Sequence, residues 1–136
     1  MFTPARARAS SAYKNVGLET SVNGADPHSL VNLLFTALLK SLSTAQAAMT
    51  CRDIPGKGRA IGMAVRYLEE GLIVSLNRED GGDLAINLGV LYNYCVLRLT
   101  QANLTNDVSM VEEVQRLIAP GAQSWQQIRA EALKGI

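Results

Sequence analysis

Aromatic residues are scarce, 5% of 136 residues with a single tryptophan, whereas apolar residues as a whole make up 48%. Leucine and alanine dominate, a mixture that favours packed helices over a β-sandwich built on Val, Ile, Thr and aromatic side chains. There is one histidine, His28, which leaves no histidine-based catalytic metal site and no Glu-x-x-His pair of a di-iron bundle. The two cysteines, Cys51 and Cys95, have no CxxC spacing, so they are expected to be reduced, semi-buried thiols rather than metal ligands or a disulfide framework. Excess charge is also missing: a net +1 gives no electrostatic footprint for nucleic acid or an anionic membrane. The longest apolar run, around residues 31–39, is broken by Thr36 and is too short to span a bilayer, so no membrane insertion is expected.

What is present fits one domain. The first dozen residues carry Arg6 and Arg8 among Ala and Ser with no acids, superficially like an organellar transit peptide. With nothing there to bury, residues 1–25 are expected to be a flexible segment ahead of a helical domain over 26–136. No apolar core of a cleaved signal follows, so a cytoplasmic location is expected.

Asp26-Pro27 predicts a helix start, because aspartate caps free N–H groups and proline is tolerated in the first turn. Leu30, Leu34, Ala37, Ser41, Ala45 and Ala48 then recur at helical spacing to about Thr50. Ile54-Pro55-Gly56 reads as a break, and a second helix is expected over 57–77 with Ile61, Val65, Leu68, Leu72 and Leu76 on one face. Gly81-Gly82 makes the next turn, and a third helix runs from 83 to about 104. A fourth follows Asn106-Asp107 through Val111, Val114, Leu117 and Ile118, with Asp107 and a Ser109/Glu112 capping box as competing starts. Pro120-Gly121 is expected to interrupt it, leaving a short last helix with Trp125, Ile128 and Ala132. Helices of this length with short links predict an all-α, antiparallel up-and-down four-helix bundle with a short additional C-terminal helix.

The third helix has more apolar surface than one buried face requires. Leu84, Leu88, Leu91, Cys95, Leu99 and Ala102 form one seam. A second series, Ile86, Val90, Tyr94, Leu97 and Leu104, follows at offsets of four, eight, eleven and eighteen from its first member. A surface helix keeps that side polar, so either this helix is surrounded inside the bundle or the second series is a binding surface. The second helix carries a fainter copy in Met63, Tyr67 and Val74, off its main seam. Gly62, Gly71 and Gly89 lie inside predicted helices, either as tolerated losses of stability or as places where another helix approaches closely.

Catalytic chemistry finds no support. His28 reads as an exposed first-turn residue. Gly56-Lys57-Gly58 lacks the glycine spacing, the Ser/Thr after lysine and the feeding strand of a phosphate loop. Glu69-Glu70, Glu79-Asp80 and Glu112-Glu113 are adjacent pairs that diverge around a helix and mark solvated faces. No enzyme activity and no cofactor are expected.

The third helix reads Gly81-Gly82-Asp83-Leu84-Ala85-Ile86-Asn87-Leu88, then Leu91-Tyr92-Asn93-Tyr94, Arg98-Leu99 and Gln101-Ala102-Asn103-Leu104. This stretch resembles the signature of the FliS family of flagellin export chaperones. Ala12-Tyr13 with Val16, Asp26-Pro27-His28-Ser29-Leu30 with Leu34-Phe35, and Asn106-Asp107 with Glu112-Glu113-Val114 and Trp125 agree in order and spacing. Asn93 stands where the family usually has aspartate, Cys95 where it has methionine, and Phe35-Thr36-Ala37 where it has aromatic-acid-glycine.

The resemblance implies a bundle that binds the disordered C-terminal region of newly made flagellin in the cytoplasm, prevents premature polymerisation and delivers it to a component of the flagellar export gate. Under it Ile86, Val90, Tyr94 and Leu97 are the expected anchors, with Met63, Tyr67 and Val74 as secondary ones. Tyr13 and Val16 resemble the family's N-terminal segment that lies over the bundle or contacts the client. Leu88, Leu91 and Tyr92 are expected in the core, Trp125 packing the last helix, and the chain as a monomer or weak homodimer. The alternatives are a structural or regulatory bundle that self-associates through the same series, and a ligand-carrying bundle.

Overall fold

Four helices account for the described chain. The computed structural model describes residues 27–76 and 78–134, with side chains over 28–76 and 82–128. Helix α1 spans Pro27–Thr50 and α2 spans Ile54–Arg66, continuing as a π-helical turn over Tyr67–Ile73. Helix α3 spans Arg78–Thr105 and α4 spans Val108–Lys134. Each packs on its neighbours in chain order and α4 closes onto α1, so α1 and α3 stand diagonally opposed, as do α2 and α4. Pairs from opposite helix ends show neighbours to be antiparallel: Lys57 reaches Asn103, Gln46 donates to Gln115, and Trp125 meets His28. The expected up-and-down bundle is therefore present.

Both tight links are built the same way. Arg52 (φ 59°), separated from the end of α1 by Cys51, and Asn106 (φ 54°), directly after α3, take the left-handed conformation. The following N–H groups, of Asp53 and Asp107, donate back to the carbonyls of Ala48 (2.8 Å) and Ala102 (3.3 Å), a Schellman closure that occupies otherwise unpaired helix-end carbonyls.

Helix α2 begins at Ile54, earlier than expected. Asp53 accepts a bond from the Gly56 N–H at 3.1 Å, and Pro55 lies in the first turn, where its missing N–H has no partner to lose. A Cβ on Gly56 would sit 2.2 Å from the Asp53 carboxylate, so the triplet read as a break is the helix start. Gly82 (φ 55°, ψ −134°) marks the true entry to the regular part of α3, a backbone position suited to glycine. Asp107, not a capping box, starts α4: its carboxylate accepts from both the N–H and the hydroxyl of Ser109.

Pro120 does not end α4, which runs unbroken to Lys134, so the separate short C-terminal helix is absent. Ile118 and Ala122 are buried on either side and Trp125 ties the last turns to α1. That packing outweighs the one intrahelical bond proline removes.

The core is leucine-rich. Leu30, Leu34, Leu38 and Leu42 of α1 are fully buried, followed by Ala45 and Met49. The bulky residues take the interior, and the smaller Ala37 and Ser41, expected on this seam, sit at its edge beside α2. From α3 come Ala85, Tyr92, Cys95, Leu99 and Ala102, while Leu84 is 67% exposed and Leu88 and Leu91 are only half-buried. The π turn buries Tyr67 with Leu68 and Gly71 with Leu72. Gly71 is a close-approach position, because a Cβ there would lie 2.8 Å from Leu34. Gly62 faces open space and is not.

Candidate partner-binding surface

The second apolar series of α3 faces solvent. Ile86 is 53% exposed, Val90 66%, Tyr94 40%, Leu97 54% and Leu104 80%. At 100° per residue these five fall within an arc of about 80°, roughly opposite the buried face. From Ile86 to Leu104 the stripe is about 27 Å long at the helical rise. Asn87 and Asn93 are exposed beside it. Leu84, although exposed, lies about 120° from the stripe's axis on the same wheel and is not part of it.

Tyr94 is more than an apolar anchor. Its hydroxyl donates to Glu113 of α4 at 2.7 Å, and Arg98 Nε donates to the other Glu113 oxygen at 2.7 Å while Nη1 donates to Gln101. The carboxylate is held below its ordinary range, first by the Tyr94 bond and then by Arg98. Tyr94's phenol is pushed up by the same bond, which ties its ring along the seam between α3 and α4. Glu113, read as part of a solvated pair, is the hinge of this network. The signal for it lies in the third dimension, since the Tyr and Arg are fifteen and more residues away.

The secondary anchors do not join this stripe. Val74 is exposed just beyond the π turn, whereas Met63 is half-buried and Tyr67 only 7% exposed. Tyr67 therefore packs into the core instead of presenting a free face, because it continues the buried row of Ala60 and Ala64 at ordinary helical spacing. Met63 and the edge of Tyr67 line a separate groove between α1 and α2. Tyr13 and Val16 lie outside the described residues.

Three other features resolve into structural roles. Lys57 is buried and its ammonium donates to the Asn103 carbonyl at 3.0 Å, satisfying the C-terminal end of α3. His28 is half-buried, not exposed: its ring stacks on Trp125 with centroids 4.4 Å apart, and the indole N–H donates to its carbonyl at 2.8 Å. Cys95 is buried and its thiol pushed up to about 11 by desolvation, while Cys51 is exposed. Among the described residues no cluster of His, Cys, Asp or Glu is arranged to hold a metal, and no helix is long and apolar enough to cross a membrane.

Residues 9–132 match the family model described as "Flagellar protein FliS". The chain is also 39% identical over 121 residues to the flagellar secretion chaperone FliS of Salmonella typhimurium, covering 89% of this chain and 90% of that one. The chain belongs to the FliS family. It is similarly 41% identical to the flagellar secretion chaperone FliS of Escherichia coli (89% of each chain). It is 40% identical to the flagellar secretion chaperone FliSB of Pseudomonas aeruginosa (87% and 93%). The FliS-like Leu91-Tyr92-Asn93-Tyr94 motif divides its work. Tyr92 points into the core with its phenol pushed up to about 12 by burial, and Tyr94 points out onto the stripe.

Proposed function

We propose that this chain is a cytoplasmic chaperone of flagellar secretion. In this reading it binds the disordered C-terminal region of monomeric flagellin along the α3 stripe, prevents premature polymerisation and assists delivery to the flagellar type III export apparatus. The relatives' shared description as flagellar secretion chaperones supports the role. The observation that carries the site is the row of five exposed apolar side chains on the side of α3 turned away from the core.

The energetics suit a segment that folds on binding. Removing the exposed fraction of each anchor from water is worth about 1–2 kcal/mol, with a matching contribution from the client's own apolar face. Ordering a disordered segment costs about 2–5 kcal/mol or more. Several anchors in a row offset that cost where one or two would not. An amphipathic helix laid on the stripe reads it through residues spaced three and four apart.

Calorimetric titration of the full chain with a monomeric flagellin C-terminal segment tests this. A stoichiometric complex with a strongly negative heat-capacity change is expected. Absence of binding, with sedimentation showing self-association abolished by Leu97→Glu, would favour the self-associating bundle instead.

A further inference from the structure

Along α3 the apolar stripe has an uncharged border. Between Asp83 and Asp107 the sequence holds one residue charged at pH 7, Arg98. At 100° per residue Asn93 and Thr100 border the stripe on one side, and Asn87 and Arg98 on the other, with Gln101 beside Arg98. Arg98 adds no net charge, because its Nε donates at 2.7 Å to Glu113, whose carboxyl is held below its ordinary range.

The hydrogen-bonding groups of the border are divided between its two sides. The Asn93 amide N–H donates to the Gly89 carbonyl at 2.8 Å and the Thr100 hydroxyl to the Val96 carbonyl at 2.9 Å, which leaves Asn93 Oδ1 and the Thr100 lone pairs to accept. Across the stripe Gln101 Oε1 accepts from Arg98 at 3.2 Å, which leaves the Gln101 Nε2 to donate. A carboxylate only accepts, an ammonium only donates, and an amide does both. A helix with amides on its flanks therefore satisfies both sides of the stripe. Acids meet acceptors on one side, cations meet donors on the other, and either charge is partly desolvated with no counter-charge to face.

Resting on the reading of the stripe as the client surface, we infer that the stripe selects its client by the flanks of the bound helix: an apolar seam bordered by neutral amides, with charge of either sign disfavoured. Asn93 and the Glu113–Arg98 pair set this preference. Two single substitutions turn it in opposite directions. Asn93→Asp, at an exposed position, puts an unmatched anion on one border. Glu113→Gln removes the partner charge of Arg98 and leaves an unmatched cation on the other.

The probes are three synthetic helices of about 18 residues, the length of the stripe, with one Leu/Ala seam and Gln, Glu or Lys on both flanks. Calorimetric titration into the full chain at low ionic strength is expected to rank the Gln-flanked helix first, by about threefold over either charged one. In the variants the readout is the ratio of Lys-flanked to Glu-flanked affinity, since any loosening of Tyr94 weakens all three helices alike. Asn93→Asp should raise that ratio about tenfold and Glu113→Gln lower it about tenfold, both shifts shrinking as salt screens the flanks. Leu97→Ala should weaken all three helices and leave the ratio unchanged, which places them on the stripe. A charged helix that binds the parent more tightly than the Gln-flanked one, or a ratio unmoved by either substitution, overturns the inference, while Leu97-dependent binding of the flagellin segment keeps the client surface in place. Helices indifferent to Leu97→Ala overturn it too. If neither the helices nor the flagellin segment bind, the client surface falls and the inference with it.

Discussion

The Trp125 indole stacks on the His28 ring at 4.4 Å and donates its N–H to the His28 carbonyl at 2.8 Å, joining residues 97 apart in sequence. This pair fastens the last turns of α4, beyond Pro120, to the first turn of α1.

Trp125→Phe keeps an aromatic face but deletes the donor, and should lower stability by about 1 kcal/mol. Trp125→Ala also removes the stack and should cost about 2–4 kcal/mol. Urea unfolding followed by circular dichroism measures both, since the only tryptophan is the one replaced. Equal stability of parent and Trp125→Ala would mean that the turns beyond Pro120 contribute nothing to the fold.

Two helix-interior glycines should respond to alanine with opposite signs. At Gly62 a Cβ meets nothing within 4 Å, so Gly62→Ala should stabilise by about 0.5–1 kcal/mol through helix propensity. At Gly71 the Cβ would press on Leu34 in the core, and overpacking of about 1–3 kcal/mol should exceed that gain. The urea midpoints should move in opposite directions with unchanged slopes.

Stability should fall at both ends of the pH scale. Glu113 and Asp107 are held below the ordinary carboxylate range, by Tyr94 and Arg98 and by Ser109 respectively. Their contribution is present above that range and is lost as pH falls through it. Cys95 and Tyr92 are pushed up by burial, from 9.0 to about 11 and from 10.0 to about 12, so they favour the folded state while neutral. That contribution is present below pH 9 and is lost as pH rises towards 11 and 12. Urea midpoints across pH should show both limbs, with Glu113→Gln flattening the acid one and Cys95→Ala the alkaline one.

The α3 stripe was legible in sequence because a straight α-helix carries its 3.6-residue period faithfully from Ile86 to Leu104. The burial of Tyr67 was not, because the seam reads through Ile61, Val65 and Leu68, whereas the buried face also takes in the adjoining row of Ala60, Ala64 and Tyr67. Pro55 and Pro120 read as breaks from composition alone. Asp53 turns the first into a start, and packing by Ile118, Ala122 and Trp125 carries the helix through the second. His28 read as exposed because its stacking partner is remote in sequence, and the same holds for the Glu113 network. The α1/α2 groove depends on which helices pair and how closely, which no single helix's pattern records.

The central claim is that the α3 stripe is a client surface and not part of the core, and Leu97→Glu tests it most directly. Its side chain is 54% exposed, so the charge stays in water. Titration of parent and variant with the flagellin C-terminal segment, alongside their melting temperatures, gives the answer. The account predicts an unchanged melting temperature and affinity reduced at least about tenfold, the equivalent of about 1.4 kcal/mol. Unchanged affinity in a variant that melts as the parent does would contradict it, and a variant that loses several kcal/mol of stability would show Leu97 to be core.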